Sequence, residues 1–573
     1  MSDFRFGVSF GEELCSGPID GRLLLLISDD DSEEPRFQIS NFPGSQLIYG
    51  VDVDGLEPGE EAHIDGSVLG YPLESINDIP AGEYWVQALF HRYETIRRPD
   101  GHTLKLPMDR GEGQRWNMAP GNLFSTPAKI RIDPGKGETI SIELDQEIPP
   151  VEEPEDTKYI RHVKLKSELL TEFWGRPTYL GAVVLLPEGY DKHPEARYPL
   201  IVWHGHFNQN LYAGFSEEPP DPELEPEPLP PGRTAKHTKD KTGSDVPRDS
   251  RYYEAYNLLV QECAHRLYEE WTSPGFPRMV LVNIQHPTPF FDDSYAVNSA
   301  NQGPYGDAIN HELIPHLEER FRCIGEGWAR TLMGGSTGGW EVLVTQVFYP
   351  EMYNGCWCWC PDPIDFRATC LVDIYEDGNM YYVEGRWKRT LRPSYRSTVG
   401  EVLYTLKDEA QLEHIKGNRC RGGGQWDAWT ATYSPVDDDG YPKPLFDRIT
   451  GDIDPSVAEY WKENYDLRHI MARDWATLGP KLEGKIRIYC GDMDSHYLTN
   501  AVYLMEEFLE NTEDPHYGGV VEYGRRYSHC FYGDHTKPSA MDRFVLVQRH
   551  SREMAEHITR TAPEGADTSS WRY

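Results

Sequence analysis

One serine, Ser336, is enclosed by four glycines in TLMGGSTGGWEVL (331–343), and the residues on its two sides follow different periodicities. Glycine costs roughly 0.5–1 kcal/mol relative to alanine inside regular structure, so four in a row of nine mark a place where side chains would obstruct the backbone. ARTLMGG (329–335) reads as a buried strand and WEVLVTQVF (340–348) as a helix. Between them, Gly334-x-Ser336-x-Gly338 has the order of a sharp strand-to-helix turn that perches a hydroxyl in a strained conformation. The helix that follows aims its first amides at developing negative charge. Those residue types at that spacing point to a nucleophile; a purely structural turn is the plain alternative.

A turn of this kind needs a sheet to project from, and the chain supplies one. YPLIVWHG (198–205), RMVLVNIQ (278–285), ARTLMGG, GCWCWC (355–360), KIRIYCG (485–491) and GVVEYG (519–524) are short apolar runs that read as strands. Helical stretches alternate with them: 252–271, 306–321 with a kink expected at Pro315, and 340–348. HVKLKSELL (162–170) and TYLGAVVLLP (178–187) read as two further strands that pair. Alternation of this type predicts a mostly parallel sheet flanked by helices, with working loops at the carboxyl ends of the strands. Residues 1–150 look all-β instead, and the acidic, proline-rich stretch around 151–160 reads as a linker into a second domain, 161–573. Residues 216–250, rich in proline and charge, read as a mobile insertion or a lid. Cys356, Cys358 and Cys360 are expected on one face of a buried strand rather than around a metal.

Composition narrows the partners. With 94 Asp+Glu against 56 Lys+Arg the net charge is −38 over 573 residues, which repels phosphate backbones, so nucleic acid is not expected. No apolar run reaches the roughly 20 residues of a membrane helix. No signal peptide is visible, and ten scattered cysteines fit a reducing compartment, so the expected location is cytoplasmic, or secreted if a leader has been removed. The expected partner is a small-molecule ester; a homodimer stays open. No metal and no organic cofactor is called for.

A serine needs a base, and in this architecture the order along the chain is Ser, then Asp or Glu, then His. YCGDMDSHYL (489–498) offers Asp494, with Asp492 as its rival; RRYSHCFYGDHTKP (525–538) offers His529, with His535 as the alternative. Spacing does not decide between the two histidines. The oxyanion of a tetrahedral intermediate needs amide donors, expected from Thr337 and from His206 or Phe207 in the loop after LIVWHGHFN (200–208). Pocket candidates are His204, Phe290, Phe291, Tyr295, Tyr305, Trp340 and Asp362.

On YPLIVWHGHF (198–207), HELIPHLEERFRCIGEGWARTLMGGSTGGWEVL (311–343) and IYCGDMDSHYL (488–498), the chain resembles the putative-esterase family of α/β-hydrolases. That family includes feruloyl esterases, S-formylglutathione hydrolases and ferric-enterochelin esterases. The resemblance implies an α/β-hydrolase fold, an acyl-enzyme on Ser336, Asp494 as the acid and His529 as the base. Enterochelin esterases also carry a β domain ahead of the hydrolase, which looks like the arrangement here, with an immunoglobulin-like sandwich expected for residues 1–150. GGSTGGW is similar as well to the elbow of prolyl-oligopeptidase-type peptidases, whose β-propeller is much larger than this N-terminal region. A third reading is a hydrolase-like fold used for binding alone.

Overall fold

The computed structural model describes residues 4–226, 256–536 and 539–573. Most of the expected insertion, from 227 to 250, lies outside the described residues.

The N-terminal region is built on the run LLLLI at 23–27, in strand Ile19–Ser28. All five side chains are buried, although neighbours on a strand point to opposite faces. Both faces therefore need a cover. Leu23, Leu25 and Ile27 pack with Phe6, Val8 and Ile64, which come from a three-stranded sheet where Arg5–Phe10 pairs with Thr139–Leu144 and Ala62–Asp65. Leu24 and Leu26 face the other way, onto Ile48, Leu89, Leu412 and Ile415. The last two belong to the far end of the sequence, so the N-terminal region is docked on the rest of the chain through an apolar face.

Arg22 locks this contact. It is 5% exposed. Its Nε donates to the Ile415 carbonyl (3.0 Å), one Nη to the His414 carbonyl (3.1 Å) and the other to Asp52 (2.9 Å). Arg421 reaches the second oxygen of Asp52 at 2.6 Å. Arg22→Leu removes the donors of one buried carbonyl, Ile415, and one half-buried carbonyl, His414, while Asp52 keeps Arg421. The expected loss of stability is about 2–3 kcal/mol, read by urea unfolding; an unchanged midpoint would show that the docking does not depend on Arg22.

From residue 160 the pattern changes to an eight-stranded sheet. Its strands are β1 (Ile160–Ser167), β2 (Thr178–Leu185), β3 (Leu200–His204), β4 (Val280–Gln285), β5 (Arg330–Gly335), β6 (Cys356–Trp359), β7 (Ile486–Gly491) and β8 (Val520–Gly524). The spatial order is β1-β2-β4-β3-β5-β6-β7-β8. β1 and β2 pair antiparallel, β2 joins β4 antiparallel, and β3 to β8 run parallel. This is the sheet of an α/β-hydrolase. β3 and β5 are central and buried along nearly their whole length, as strands covered on both faces must be.

Three local expectations shift. The run 162–170 is not all strand: Ser167 caps a helix, accepting from the Leu170 amide, and Glu168–Trp174 is helical. The kink expected at Pro315 takes the form of a π turn, Ile309–Leu313, just ahead of it. Proline has no amide hydrogen to donate to the preceding turn, and a widened ladder accommodates the gap. Cys356 and Cys358 sit on β6, but the strand ends at Trp359 and Cys360 turns away with φ 34°.

Between β6 and β7 the chain makes a long excursion. It contains two hairpins (Tyr382–Leu391 and Pro393–Thr405), then α-helices that include Leu406–Lys416 and Gln425–Tyr433. The first of these helices carries Leu412 and Ile415 to the N-terminal region, and the second lies over the end of β5. The excursion therefore forms one junction between the N-terminal sheets and the sheet of the hydrolase; Ile96, Leu104 and Leu106 of the N-terminal strands form another, packing directly into the hydrolase core.

Candidate active site

β5 delivers Ser336 at its carboxyl end, and the helix Thr337–Phe348 starts on the next residue. Ser336 adopts φ 59° and ψ −123°, a conformation that costs a non-glycine residue of order 1–3 kcal/mol. The flanking glycines are explained by contact. A Cβ on Gly334 would meet the Gly338 carbonyl at 2.3 Å, and one on Gly338 would meet the His204 carbonyl at 2.2 Å. Both partners are backbone and cannot swing away. The cluster of glycines lets the turn nest between β3 and the helix.

Two loops, after β7 and after β8, reach this hydroxyl from the same carboxyl end of the parallel strands. After β7, Asp494 is buried, and its Oδ1 accepts the amides of His496 (2.9 Å) and Leu498 (3.2 Å). Its Oδ2 lies 2.7 Å from His529 Nδ1, and His529 Nε2 lies 2.9 Å from Ser336 Oγ. With Nδ1–H given to the carboxylate, the Nε2 lone pair is free to take the serine proton. Burial alone would push the His529 imidazole down; the Cys530 sulfur and the Asp494 carboxylate push it up, and the net displacement is well above the ordinary 6.5.

The alternatives are turned elsewhere. His535 Nε2 is paired with Glu522 Oε1 at 2.6 Å on the surface. Asp492 Oδ1 accepts the Arg526 amide at 2.5 Å and does not orient His529.

A cavity of about 570 Å³ opens on Ser336 and His529. Of the pocket candidates, His204 and Asp362 line it, and so does His206. Phe290, Phe291, Tyr295 and Trp340 do not; they are buried, with Tyr295 edge-on to Trp340 in an aromatic core that also holds Tyr433. The two phenylalanine rings gain more from the core than from a cleft wall, and Tyr295 enters it with its hydroxyl bonded to Asp362 at 2.7 Å. Tyr305 lines a different cavity, as does Phe207, whose ring packs at Gly113. His206 is held through Nδ1 by Asp292 (3.0 Å) and Asp293 (3.4 Å).

The cleft walls come from places that carried no motif. The excursion gives Tyr404, Glu409, Gln425, Trp426 and Trp429, and the N-terminal region gives Ser40, Asn41 and Phe42. Phe42 stands edge-on to Tyr395 (5.3 Å) and Tyr404 (5.2 Å); Tyr395 touches His496, and His496 touches His529. An unbroken chain of rings thus runs from the N-terminal region to the imidazole beside Ser336. The one legible hint was QWDAWTATY (425–433), which puts Gln425, Trp426 and Trp429 together on a helix.

Beneath the cleft, His204, His286 and Glu341 bring their polar atoms to 3.7–3.8 Å without hydrogen bonds between them. Burial pushes His204 well down and His286 to about 4, and it pushes the Glu341 carboxyl well up. The spacing suits a cation, but the Ser294 amide donates to His286 Nδ1 at 3.0 Å. The neutral ring then carries its proton on Nε2, which faces Glu341 with no lone pair for a metal. The donor set does not fit a metal ion.

Residues 288–432 match the family described as Putative esterase. This is the family whose resemblance the motifs carry; the matched segment contains one of the three blocks that carry it, 311–343, and spans the nucleophile turn and the first part of the excursion. Uncharacterized protein YjcH of Bacillus subtilis is 22% identical over 154 residues, 25% of this chain, and the chain spans 62% of that relative's length. Among solved structures, a ferulic acid esterase is 13% identical with a TM-score of 0.35, covering 70% of this chain and 98% of its own. An S-formylglutathione hydrolase from Agrobacterium tumefaciens is 12% identical with a TM-score of 0.33, at 70% and 98% coverage. Among the described residues no helix is long and apolar enough to cross a membrane.

Proposed function

We propose that the protein is a serine hydrolase that cleaves carboxylic esters through an acyl-enzyme. The observation that carries this reading is the relay Ser336 Oγ–His529 Nε2 (2.9 Å) and His529 Nδ1–Asp494 Oδ2 (2.7 Å) at the mouth of an open cavity. His529 takes the serine proton as Oγ attacks the carbonyl carbon, then gives it to the leaving alcohol; water repeats the sequence in reverse on the acyl-enzyme. Asp494 holds the ring in the tautomer this needs. The amide of Thr337, in the first turn of its helix and so without an acceptor inside it, faces the oxyanion, with the amide of His206 or Phe207 as the second donor. The match to the putative-esterase family supports an ester as substrate. We read the N-terminal sheets as an immunoglobulin-like sandwich, residues 161–573 as the catalytic domain, and Ser40–Phe42 as a wall that the former lends to the latter.

The test is turnover of p-nitrophenyl acetate and butyrate beside a proline-containing peptide amide, with a fluorophosphonate probe to mark the reactive serine. Hydrolysis of the esters and a label on Ser336 are expected. Cleavage of the amide with the esters untouched would transfer the site to peptidase chemistry, and no label would leave a binding protein.

A further inference from the structure

Asp362 sits on the loop after β6, buried, with its carboxylate against the nucleophile. Its Oδ2 is saturated: it accepts from Tyr295 Oη (2.7 Å), Gln425 Nε2 (3.0 Å), Thr337 Oγ1 (3.1 Å) and Trp429 Nε1 (3.4 Å). Four donors from three separate elements hold the group in one orientation. Oδ1 then faces Ser336 Oγ at 3.5 Å, the limit of a hydrogen bond, and that hydroxyl is already engaged by His529 at 2.9 Å.

This placement is costly for a simple ester. A carboxylate oxygen with spare acceptor capacity on a side chain only 3% exposed is unfavourable, and its negative charge opposes the one that builds on the substrate during attack. Both penalties disappear if the substrate brings a donor to Oδ1. A carbonyl carbon about 3 Å from Oγ puts that oxygen within hydrogen-bond reach of a group on the atom next to the carbonyl. Glu409, which also lines the cleft and is anchored by Ser394 Oγ (2.5 Å) and Trp426 Nε1 (3.1 Å), gives the wall the same sign.

We propose that Asp362 selects esters whose acyl part carries a hydrogen-bond donor, hydroxyl or ammonium, on the carbon adjacent to the scissile carbonyl. The inference rests on the esterase reading above and names its substrate class. A site built to bond a hydroxyl rejects the analogue that lacks one far more strongly than an apolar pocket rejects an extra methylene.

The experiment compares kcat/KM for the phenyl esters of lactic acid, 2-methoxypropionic acid, alanine and propionic acid. The methoxy ester keeps the electron withdrawal of lactate and loses only the donor; the alanine ester separates a charged donor from a neutral one. Lactate is expected to exceed its methyl ether at least ten-fold, and Asp362→Asn to shrink that ratio to about three-fold or less. The wild-type ratio stands whether or not the variant folds. Equal rates for lactate and methoxypropionate overturn the proposal, as does a ratio that survives in Asp362→Asn, or an enzyme that takes the fluorophosphonate label at Ser336 yet hydrolyses neither donor-bearing ester. Failure of all four esters together with no label overturns the esterase reading itself.

Discussion

Ser336→Ala is expected to abolish ester turnover, by about a million-fold in kcat, while leaving the fold intact. In serine hydrolases the triad acts as a unit, so loss of the nucleophile alone costs nearly as much as loss of all three members, and what remains comes from oxyanion donors and binding. The change is mild for the structure. The Ser336 amide still donates to the Trp359 carbonyl at 3.0 Å, and the Ser336 carbonyl still accepts from Gly339 and Trp340. The backbone already holds a Cβ at φ 59°, so alanine adds no strain that serine does not carry. His529 loses one partner at Nε2 and keeps Asp494. The measurement is kcat for p-nitrophenyl acetate, with the unfolding midpoint recorded on the same preparations. Turnover within a hundred-fold of wild type, in a folded variant, would remove Ser336 from the chemistry.

The parts of this site that could be read in advance are those that depend on a few neighbouring residues. Gly334 and Gly338 announce the turn because only a missing Cβ permits the approach to His204 and to each other. The order of the chain, once the strands are placed, narrows the acid to Asp492 or Asp494 and the base to His529 or His535. Where two candidates stood close together, sequence could not decide, because the choice lies in how the loop after β8 bends: Arg526 (φ 62°) and Cys530 (φ 75°) adopt left-handed backbone that brings His529 inward and leaves His535 at the surface. The strands β3 to β8 were legible for a similar reason, being short apolar runs between turn residues. The cleft walls were not. Phe42 and Trp426 are hundreds of positions apart in the chain and line one cavity only after the excursion has docked on the N-terminal sheets. The rings expected to line a pocket, Phe290, Phe291, Tyr295 and Trp340, are buried in the core, while the walls take their rings from Phe42, Tyr404, Trp426 and Trp429. The register of LLLLI tells the same story: its two buried faces say that something must cover each, and nothing local says that Leu412 and Ile415 cover one of them.

Asp494→Asn is the second large effect, and its sign can be worked out with pH. The amide can give N–H to His529 Nδ1 where the carboxylate accepted, which forces the ring proton onto Nε2 and points it at Ser336. That tautomer cannot take the serine proton, and the expected fall in kcat is about 10,000-fold. In the wild type the His529 imidazole is displaced upward, so it remains charged, and useless as a base, until the pH has risen above 6.5. kcat/KM should therefore rise with pH along a limb that lies above 6.5, and be lost as pH falls through it. The Asp494 carboxylate is one of the two groups that lift the imidazole, the other being Cys530. Its removal lowers the pKa, and the residual activity of the variant should follow a limb displaced to lower pH. His535→Ala, a change at a surface pair with Glu522, should leave the wild-type limb in place. The profile is measured for each protein from pH 5 to 10 with an ester whose own hydrolysis is subtracted. A limb at the same pH with and without Asp494 would mean that this carboxylate does not bear on the base, whatever its distance.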